Sequence, residues 1–167
     1  LLAGAVDAGE RLRAGVSRLT SPPRRAGMGA ALAALESAMR RFEHPTERLE
    51  AEAAVRRLVD RFYDLMDLEA GYACIRRLHP VSLDGSRDKL HWFLCGWLGG
   101  PDHYVHRFGH PRLRARHLPF AIGIAERDQW LACMQQAMRE CDVEPEMQQR
   151  LSAAFFNTAD WMRNRGG

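Results

Sequence analysis

The sequence predicts an all-α fold, and three observations lead to this prediction. Apolar residues recur at every third or fourth position in four long stretches, which is typical of helices with one buried face. No stretch alternates apolar and polar residues in the manner of a half-buried strand. Helix-ending signals, among them Gly99-Gly100-Pro101 and Gly109-His110-Pro111, separate these stretches. We therefore expect four substantial helices with short connections.

Residues 1–44 are expected to form an N-terminal extension, partly helical or disordered, ahead of a domain over residues 45–167. Ser21-Pro22-Pro23 breaks any earlier helix, and a short helix is expected from about Met28 to Phe42. Five arginines lie within residues 1–30 without interleaved aromatic residues. This composition is more typical of a solvated basic tail than of a nucleic-acid-binding segment.

The first helix of the domain is expected to begin near Thr46 and to be interrupted near Gly71. A short helical piece over about 72–78 follows, and His79-Pro80 opens a loop that runs to Asp84-Gly85. A tyrosine on the buried face needs a polar partner for its hydroxyl, since an unpaired buried group costs about 1–3 kcal/mol. The buried face is predicted to contain Val55, Leu58, Val59, Phe62, Tyr63 and Met66.

The second helix is expected to begin at about Ser86 and to stop at Gly99-Gly100-Pro101. An irregular polar stretch containing Tyr104 is predicted to come next, and a short arginine-rich helical turn then leads to His117. Leu90, Phe93, Leu94 and Trp97 share one face of the second helix.

The third helix is expected to begin near Glu126, and the fourth near Pro145, since acidic residues and a first-turn proline favour a helix start. The third helix carries Trp130, Cys133, Met134, Ala137 and Met138 on one stripe. The fourth carries Met147, Leu151, Ala154, Phe155, Thr158 and Met162.

Length and composition indicate one domain without a membrane span. A chain of 167 residues can bury roughly two-thirds of its unfolded surface. Hydrophobic residues make up 46% of it, yet no apolar run approaches the roughly 20 residues that cross a bilayer. The first six residues are too short for a signal sequence, so a cytoplasmic location is expected. The net charge of +3 does not distinguish between classes of function.

Cysteine and histidine positions were weighed as possible metal or nucleophilic sites. The four cysteines contain no C-x-x-C pair and are expected to be small buried hydrophobes, which also disfavours a Cys–His nucleophile. A zinc site combining His110 and His117 with His103 or His106 is disfavoured because Pro111 interrupts the helical register. His103, His106 and His91 are instead expected to face solvent.

His117 is the strongest candidate for a functional residue. It lies two residues before Pro119, so a segment that cannot continue as a regular helix fixes its ring. The following helix presents Trp130 and a sulfur-rich face. Such a histidine is more often structural when nothing else supports a role, but this setting also suits an axial metal ligand.

The motifs G-H-P-R-L-R-A-R-H-L-P-F and E-R-D-Q-W-L-A-C-M resemble those of the group II truncated haemoglobins, the compact two-over-two helical globins of bacteria and plants. F-L-C-G-W-L-G-G-P and V-R-R-L-V-D-R-F-Y-D add to the resemblance, which covers roughly residues 49–165. It implies a truncated globin-like two-over-two helical sandwich that binds haem b, iron protoporphyrin IX. Relatives carry Gly-Gly where this chain has Glu50-Ala51, so a more continuous first helix is expected.

The resemblance also implies a role for individual residues of the haem site. His117 matches the proximal iron ligand, while Tyr63, Trp130 and His79 match distal hydrogen-bond donors, with Ser86 near the ligand entry. Either His79 or Tyr63 is a candidate to bind the ferric iron at rest. Apolar walls are expected from Leu90, Phe93 and Met134, and contacts to the haem propionates from Lys89, Tyr104 and Arg116.

The function implied by the resemblance is reversible binding of oxygen, and of NO, CO or other small ligands, by a monomer or weak homodimer. Nucleic-acid and membrane partners are not expected. One alternative is an NO dioxygenase or peroxidase-like enzyme, which needs electrons from a reductase. Another is a globin-fold sensory or interaction module with residues 1–44 as its contact.

Overall fold

The computed structural model describes residues 45–166, and within this range it is helical without a strand, which confirms the all-α prediction. The predictions for residues 1–44, including the helix over 28–42, lie outside the described residues. No helix in the described range is long and apolar enough to cross a membrane. The helices are α1 (Pro45–Leu68), α2 (Ala73–Arg76), α3 (Asp84–Trp97), α4 (His103–Phe108), α5 (Leu113–His117), α6 (Ile124–Glu140) and α7 (Pro145–Met162), with a 3-10 turn at Ala70–Tyr72.

Helix α1 runs without interruption through Glu50 and Ala51 for 24 residues. This agrees with the continuous helix expected from the absence of a Gly-Gly pair, since glycine weakens a helix interior by roughly 1 kcal/mol relative to alanine. Its apolar stripe is buried over Val55, Leu58, Val59, Phe62, Tyr63, Leu65 and Met66.

The core lies between α1, α3, α6 and α7, the four long helices predicted from periodicity. Helix α1 packs on α3 and on α6, and α6 packs on α7, which gives the two-over-two arrangement. The largest side chains with almost no exposure are Phe62, Leu65, Met66, Leu94, Met134 and Met138. The four helices therefore share one apolar interior, and the short elements lie at its edges.

The segment between α1 and α3 is fixed by side chains from α6. Gln129 Oε1 accepts hydrogen bonds from the backbone N–H groups of Cys74 at 3.1 Å and Ile75 at 3.4 Å, so it caps the start of α2. Tyr72 donates its hydroxyl hydrogen to Gln136 Oε1 at 2.5 Å. The Gln129 bonds hold the start of α2 against α6, and the Tyr72 bond fixes the turn before it.

The stretch containing Tyr104 was predicted to be irregular, and this prediction is wrong: it forms helix α4. Six residues are too few to show helical periodicity in the sequence. The helix is stabilised by packing, since the Tyr104 ring lies 6.2 Å from Phe93 and 5.0 Å from Phe108. The preceding turn uses Gly99, whose φ of 95° suits glycine.

The predicted solvent exposure of His91 and His103 is also wrong. Both are half-buried, and His103 Nε2 lies 2.9 Å from Glu52 Oε2 on α1, whereas His106 is exposed as expected. Cys95 and Cys133 are buried as predicted, and Cys74 and Cys141 are half-buried. All four are free thiols.

The core assignment predicts a contrast between two leucines of α1. Leu65 is 1% exposed and Leu68 is 76% exposed. We expect Leu65→Ala to lower the free energy of unfolding by about 2–5 kcal/mol, since it removes buried methyl groups and leaves a cavity. Leu68→Ala, the matched control, should change it by about 0.5 kcal/mol or less. Urea unfolding followed by far-UV circular dichroism measures both, and equal losses would contradict the assignment.

Candidate functional site

His117 ends the five-residue helix α5, and its ring is oriented by its own helix. Nδ1 lies 2.7 Å from the carbonyl oxygen of Leu113, four residues earlier. A carbonyl oxygen only accepts hydrogen bonds, so Nδ1 carries the proton. In the neutral ring Nε2 then bears a lone pair, which is the form of imidazole that binds metal ions.

The segment that follows His117 is held by Asn164, just beyond the end of α7. The Asn164 amide donates from Nδ2 to the carbonyl oxygens of His117 at 3.2 Å and Phe120 at 2.7 Å. Its Oδ1 accepts from the N–H of Ile122 at 3.1 Å, and its own backbone N–H donates to the Ile122 carbonyl at 2.9 Å. A single side chain thus fixes the bend around Pro119.

Arg114 joins α5 to the end of α7 on the same side. Its Nη1 donates to the carbonyl oxygens of Trp161 and Arg163, and its guanidinium lies 5.6 Å from the centre of the Trp161 ring. Neither Arg114 nor Asn164 was singled out from the sequence, because periodicity does not reveal bonds between a short helix and a distant chain end. Together they position His117 as rigidly as a residue on a long helix.

Tyr63 lies on α1 with only 5% of its surface exposed. Its ring stands edge-on to Phe62, with the centroids 5.0 Å apart, and edge-on to His79 at 5.7 Å. Burial raises the pKa of Tyr63 well above its usual value, and the nearby Arg87 charge and Ser86 hydroxyl only partly oppose this. The phenol is therefore a neutral hydrogen-bond donor, and Ser86 is its polar neighbour.

Arg87 is a residue of this site that sequence reasoning missed. Its guanidinium lies 5.8 Å from the centre of the Tyr63 ring. It donates to the carbonyl oxygen of Asp60 at 2.7 Å and to Asp64 Oδ1 at 2.6 Å, so it joins α3 to α1 beside Tyr63. A charged residue on a helix surface gives no sequence signal of such a role.

His79 lies in the corner after α2 and is oriented in the same way as His117. Its Nδ1 is 2.8 Å from the carbonyl oxygen of Ile75, so this nitrogen carries the proton. Burial, opposed by the hydrogen bond to Ile75, lowers the pKa of His79, and the nearby His117 lowers it further. The effect of His117 on the pKa of His79 indicates that the two rings lie in the same part of the molecule.

The tautomer of His79 corrects one expected role. A neutral ring with its proton on Nδ1 has a lone pair on Nε2, so His79 cannot donate a hydrogen bond from that atom. The sequence analysis expected an imidazole N–H donor here. Among the three expected donors, Tyr63 and Trp130 remain, and His79 offers an acceptor or a metal ligand instead.

Trp130, half-buried on α6, belongs to a continuous layer of aromatic rings. Its ring centre lies 5.2 Å from that of Phe62 on α1 and 5.4 Å from that of Phe155 on α7. Phe155 in turn stacks on Trp97 of α3 at 5.1 Å. Aromatic pairs at these distances contribute about 0.5–1.5 kcal/mol beyond their buried area, so the layer holds Trp130 firmly.

The expected apolar walls differ in how deeply they are buried. Leu90 and Phe93 on α3 are half-buried and pack against the edge of the core, as pocket walls would. Met134 on α6 has no exposed surface, so it belongs to the packed core. Phe93 also lies 6.5 Å from Trp97, which links this wall to the aromatic layer.

The three residues expected to contact propionates lie around one pair of rings. The Arg116 guanidinium is 5.9 Å from the Tyr104 ring centre, and the Lys89 ammonium is 5.8 Å from the Phe108 ring centre. Lys89 and Arg116 are exposed, whereas Tyr104 is buried. The structure thus brings two cations from α3 and α5 to a common rim, a setting suited to carboxylates.

The region that contains these residues is similar to known globins. The family model described as bacterial-like globin matches residues 46–164. The group 2 truncated haemoglobin YjbI of Bacillus subtilis is 37% identical over 124 residues, which are 74% of this chain and 91% of that protein.

The chain is also similar to solved structures of truncated haemoglobins. The cold-adapted truncated haemoglobin of the Antarctic bacterium Pseudoalteromonas haloplanktis is 39% identical, with a TM-score of 0.68 over 72% of this chain and 98% of that one. The truncated oxygen-avid haemoglobin of Bacillus subtilis is 38% identical, with a TM-score of 0.62 over 68% of this chain and 93% of that one.

The lowered pKa of His79 predicts a pH-dependent stability. In the unfolded chain the pKa of His79 lies near the ordinary histidine value of 6.5, whereas in the folded protein burial lowers it and disfavours protonation. The free energy of unfolding should therefore fall as the pH is lowered from about 7.5 to about 5.5. Urea unfolding at several pH values measures this decline.

His79→Phe should reduce the decline, and His106→Gln, at an exposed position, should leave it unchanged. Part of the decline should remain in His79→Phe, because burial and the Arg56 charge also lower the pKa of His91. An undiminished decline in His79→Phe would contradict the assignment.

Proposed function

Because this chain belongs to the group 2 truncated haemoglobins of the bacterial-like globin family, and is therefore a haem-binding globin, we propose that it holds haem b through His117 and binds oxygen reversibly. The observation that carries the proposal is the orientation of His117. Its Nδ1–H donates to Leu113 at 2.7 Å, which leaves the Nε2 lone pair for the iron. The opposing side of the site supplies Tyr63, His79 and Trp130.

The donor set fits a haem held without covalent attachment. The chain has no C-x-x-C-H motif, through which c-type haem is attached, and this supports haem b. Leu90 and Phe93 would contact the faces of the ring. Arg116 and Lys89 would pair with the propionates, since a guanidinium binds a carboxylate with two parallel hydrogen bonds and an ammonium attracts it as a point charge.

When bound, the haem iron supplies the coordination of a diatomic ligand. The protein determines how long the ligand stays. The Tyr63 phenol is neutral because burial raises its pKa, so it can donate to the partly negative outer atom of oxygen. The Trp130 indole N–H would be the second donor, and its ring packs on Phe62 next to Tyr63.

We propose that His79 acts when no gas is bound, and that it does not donate a hydrogen bond to oxygen. Its Nε2 lone pair makes it a candidate sixth ligand of the iron when no external ligand is present. Tyr63 and Trp130 would remain the hydrogen-bond donors to a bound diatomic ligand. Tyr63 is the weaker candidate for this position, because burial favours its neutral phenol over the phenolate that binds iron.

Oxygen is proposed as the main ligand because the similar Bacillus subtilis protein is described as oxygen-avid and because this site offers two hydrogen-bond donors. NO and CO are small enough for the same pocket. The NO dioxygenase and peroxidase-like alternatives share all these residues and would be distinguished by turnover with a reductase.

The role of His117 predicts a spectroscopic result. The full chain supplied with haem should show an intense Soret band with stoichiometric haem. His117→Gly should lose most of the haem, and added imidazole should restore it, because the free ligand replaces the missing ring. His110→Gly serves as the control, since His110 is exposed. Full haem retention by His117→Gly without imidazole would contradict the proposal.

The role of Tyr63 predicts faster oxygen release in Tyr63→Phe. A charge-assisted hydrogen bond contributes about 1.5–3 kcal/mol, which corresponds to roughly a 10- to 100-fold increase in the dissociation rate constant. Tyr72→Phe is the matched control, since Tyr72 bonds to Gln136 outside the site. Stopped-flow displacement of oxygen by CO measures both. An unchanged rate in Tyr63→Phe would contradict the role assigned to its hydroxyl.

A further inference from the structure

A second cluster of metal-binding side chains lies between α1 and α3, and none of its residues belongs to the haem site. Glu52 of α1 and His91 and Cys95 of α3 bring one carboxylate oxygen, one ring nitrogen and the thiol sulfur within 4.8 Å of one another. His91 and Cys95 are one helical turn apart, so both side chains lie on the face of α3 that packs on α1.

This cluster is partly buried and partly accessible to solvent. Cys95 has no exposed surface, while Glu52 and His91 are half-buried. The Cys95 sulfur lies 3.8 Å from Nδ1 and 3.9 Å from Nε2 of His91. The thiol therefore lies close to both ring nitrogens of His91, and Glu52 brings its carboxylate oxygen to the same place.

His103, the first residue of α4, orients the carboxylate. Its Nε2 lies 2.9 Å from Glu52 Oε2. On the other side, Arg48 Nε is 3.8 Å from Glu52 Oε1. A carboxylate held by neighbouring side chains is typical of a metal ligand with an ordered outer shell.

The charges around the cluster are compatible with a bound cation. Arg56 acts on His91 through its charge, and it is paired with Asp60 at 3.1 Å and with Asp88 at 2.7 Å. Burial, with a smaller effect of Arg56, lowers the pKa of His91, so its ring is neutral at pH 7 and able to bind a metal ion. Burial raises the pKa of Cys95 to about 12, so without metal the sulfur is a thiol.

We propose that Glu52, His91 and Cys95 bind one divalent transition-metal cation, with zinc preferred, and that His103 positions Glu52 for this role. Thiolate, imidazole and carboxylate form a mixed donor set that suits zinc and is unsuited to calcium or magnesium, which take oxygen ligands. Three protein ligands leave the fourth tetrahedral position to water. Small side-chain rotations bring the donors to ligand distances of about 2.0–2.3 Å.

Binding is a proton exchange without a redox step. The Cys95 thiol loses its proton to solvent as the metal–sulfur bond forms, His91 uses its neutral lone pair, and Glu52 contributes a carboxylate oxygen. The ion would cross-link α1 to α3 and, through His103, hold the start of α4. Because α4 also carries Tyr104, the metal would stabilise the position of a residue expected to contact the haem propionates.

The test is a zinc titration of the full, haem-loaded chain after removal of metals by a chelator. Competition with a chromophoric chelator and elemental analysis should give one zinc per chain. His91→Gln and Cys95→Ser should each abolish binding, and His103→Gln should weaken it roughly 10- to 100-fold, as loss of an outer partner does. The matched controls His106→Gln and Cys141→Ser should bind as the unmodified chain does.

Zinc X-ray absorption should show one sulfur neighbour at about 2.3 Å. Far-UV circular dichroism identifies variants that fold. If Cys95→Ser does not fold, the half-exposed His91→Gln decides the result. Retention of less than one zinc, a spectrum without sulfur, or unchanged binding in folded His91→Gln would overturn the proposal. His117→Gly should keep the zinc while losing haem, so the two sites can fail independently.

Discussion

The hydrogen bond from His117 Nδ1 to the Leu113 carbonyl is the interaction on which the site depends. It fixes the tautomer and the ring orientation together, and it is available only because α5 forms one helical turn before Pro119. A five-residue helix would not be stable alone. Asn164 stabilises it by donating to the carbonyl oxygens of His117 and Phe120, and Arg114 does so by donating to carbonyl oxygens at the end of α7. The last described residues of the domain thus support the position of His117.

His79 has the same kind of Nδ1 hydrogen bond as His117, but it is supported by a different helix. His79 Nδ1–H also donates to a carbonyl oxygen four residues earlier, so the site contains two imidazoles whose Nε2 lone pairs can bind metal. His117 is fixed by α7, whereas His79 lies in a corner that α6 holds through Gln129. This difference in support is the reason for proposing His117, rather than His79, as the ligand that would hold the haem iron. Burial keeps both His79 and Tyr63 neutral, which preserves Tyr63 as a donor.

The sequence was sufficient to predict the long helices and the family, because periodicity and the motifs around His117 and Trp130 are strong local signals. The all-α two-over-two fold is confirmed, and the unbroken α1 agrees with the absence of Gly-Gly. Helix α4 was missed because packing of Tyr104 stabilises it, and packing is not visible in six residues. The half-burial of His91 and His103 depends on how α1 meets α3, a long-range contact that no local pattern encodes. The tautomer of His79 depends on one carbonyl position and could not be predicted from residue type.

The most direct test of the central claim is the NMR spectrum of the haem-loaded ferric protein labelled with ¹⁵N-histidine, with cyanide added to displace His79 from the iron. We expect one ring N–H resonance strongly shifted by the iron, belonging to Nδ1 of His117 and exchanging slowly with solvent because the proton is held by Leu113. This resonance should be absent in imidazole-rescued His117→Gly. A shifted N–H that persists in that variant, or that belongs to another histidine, would contradict the account.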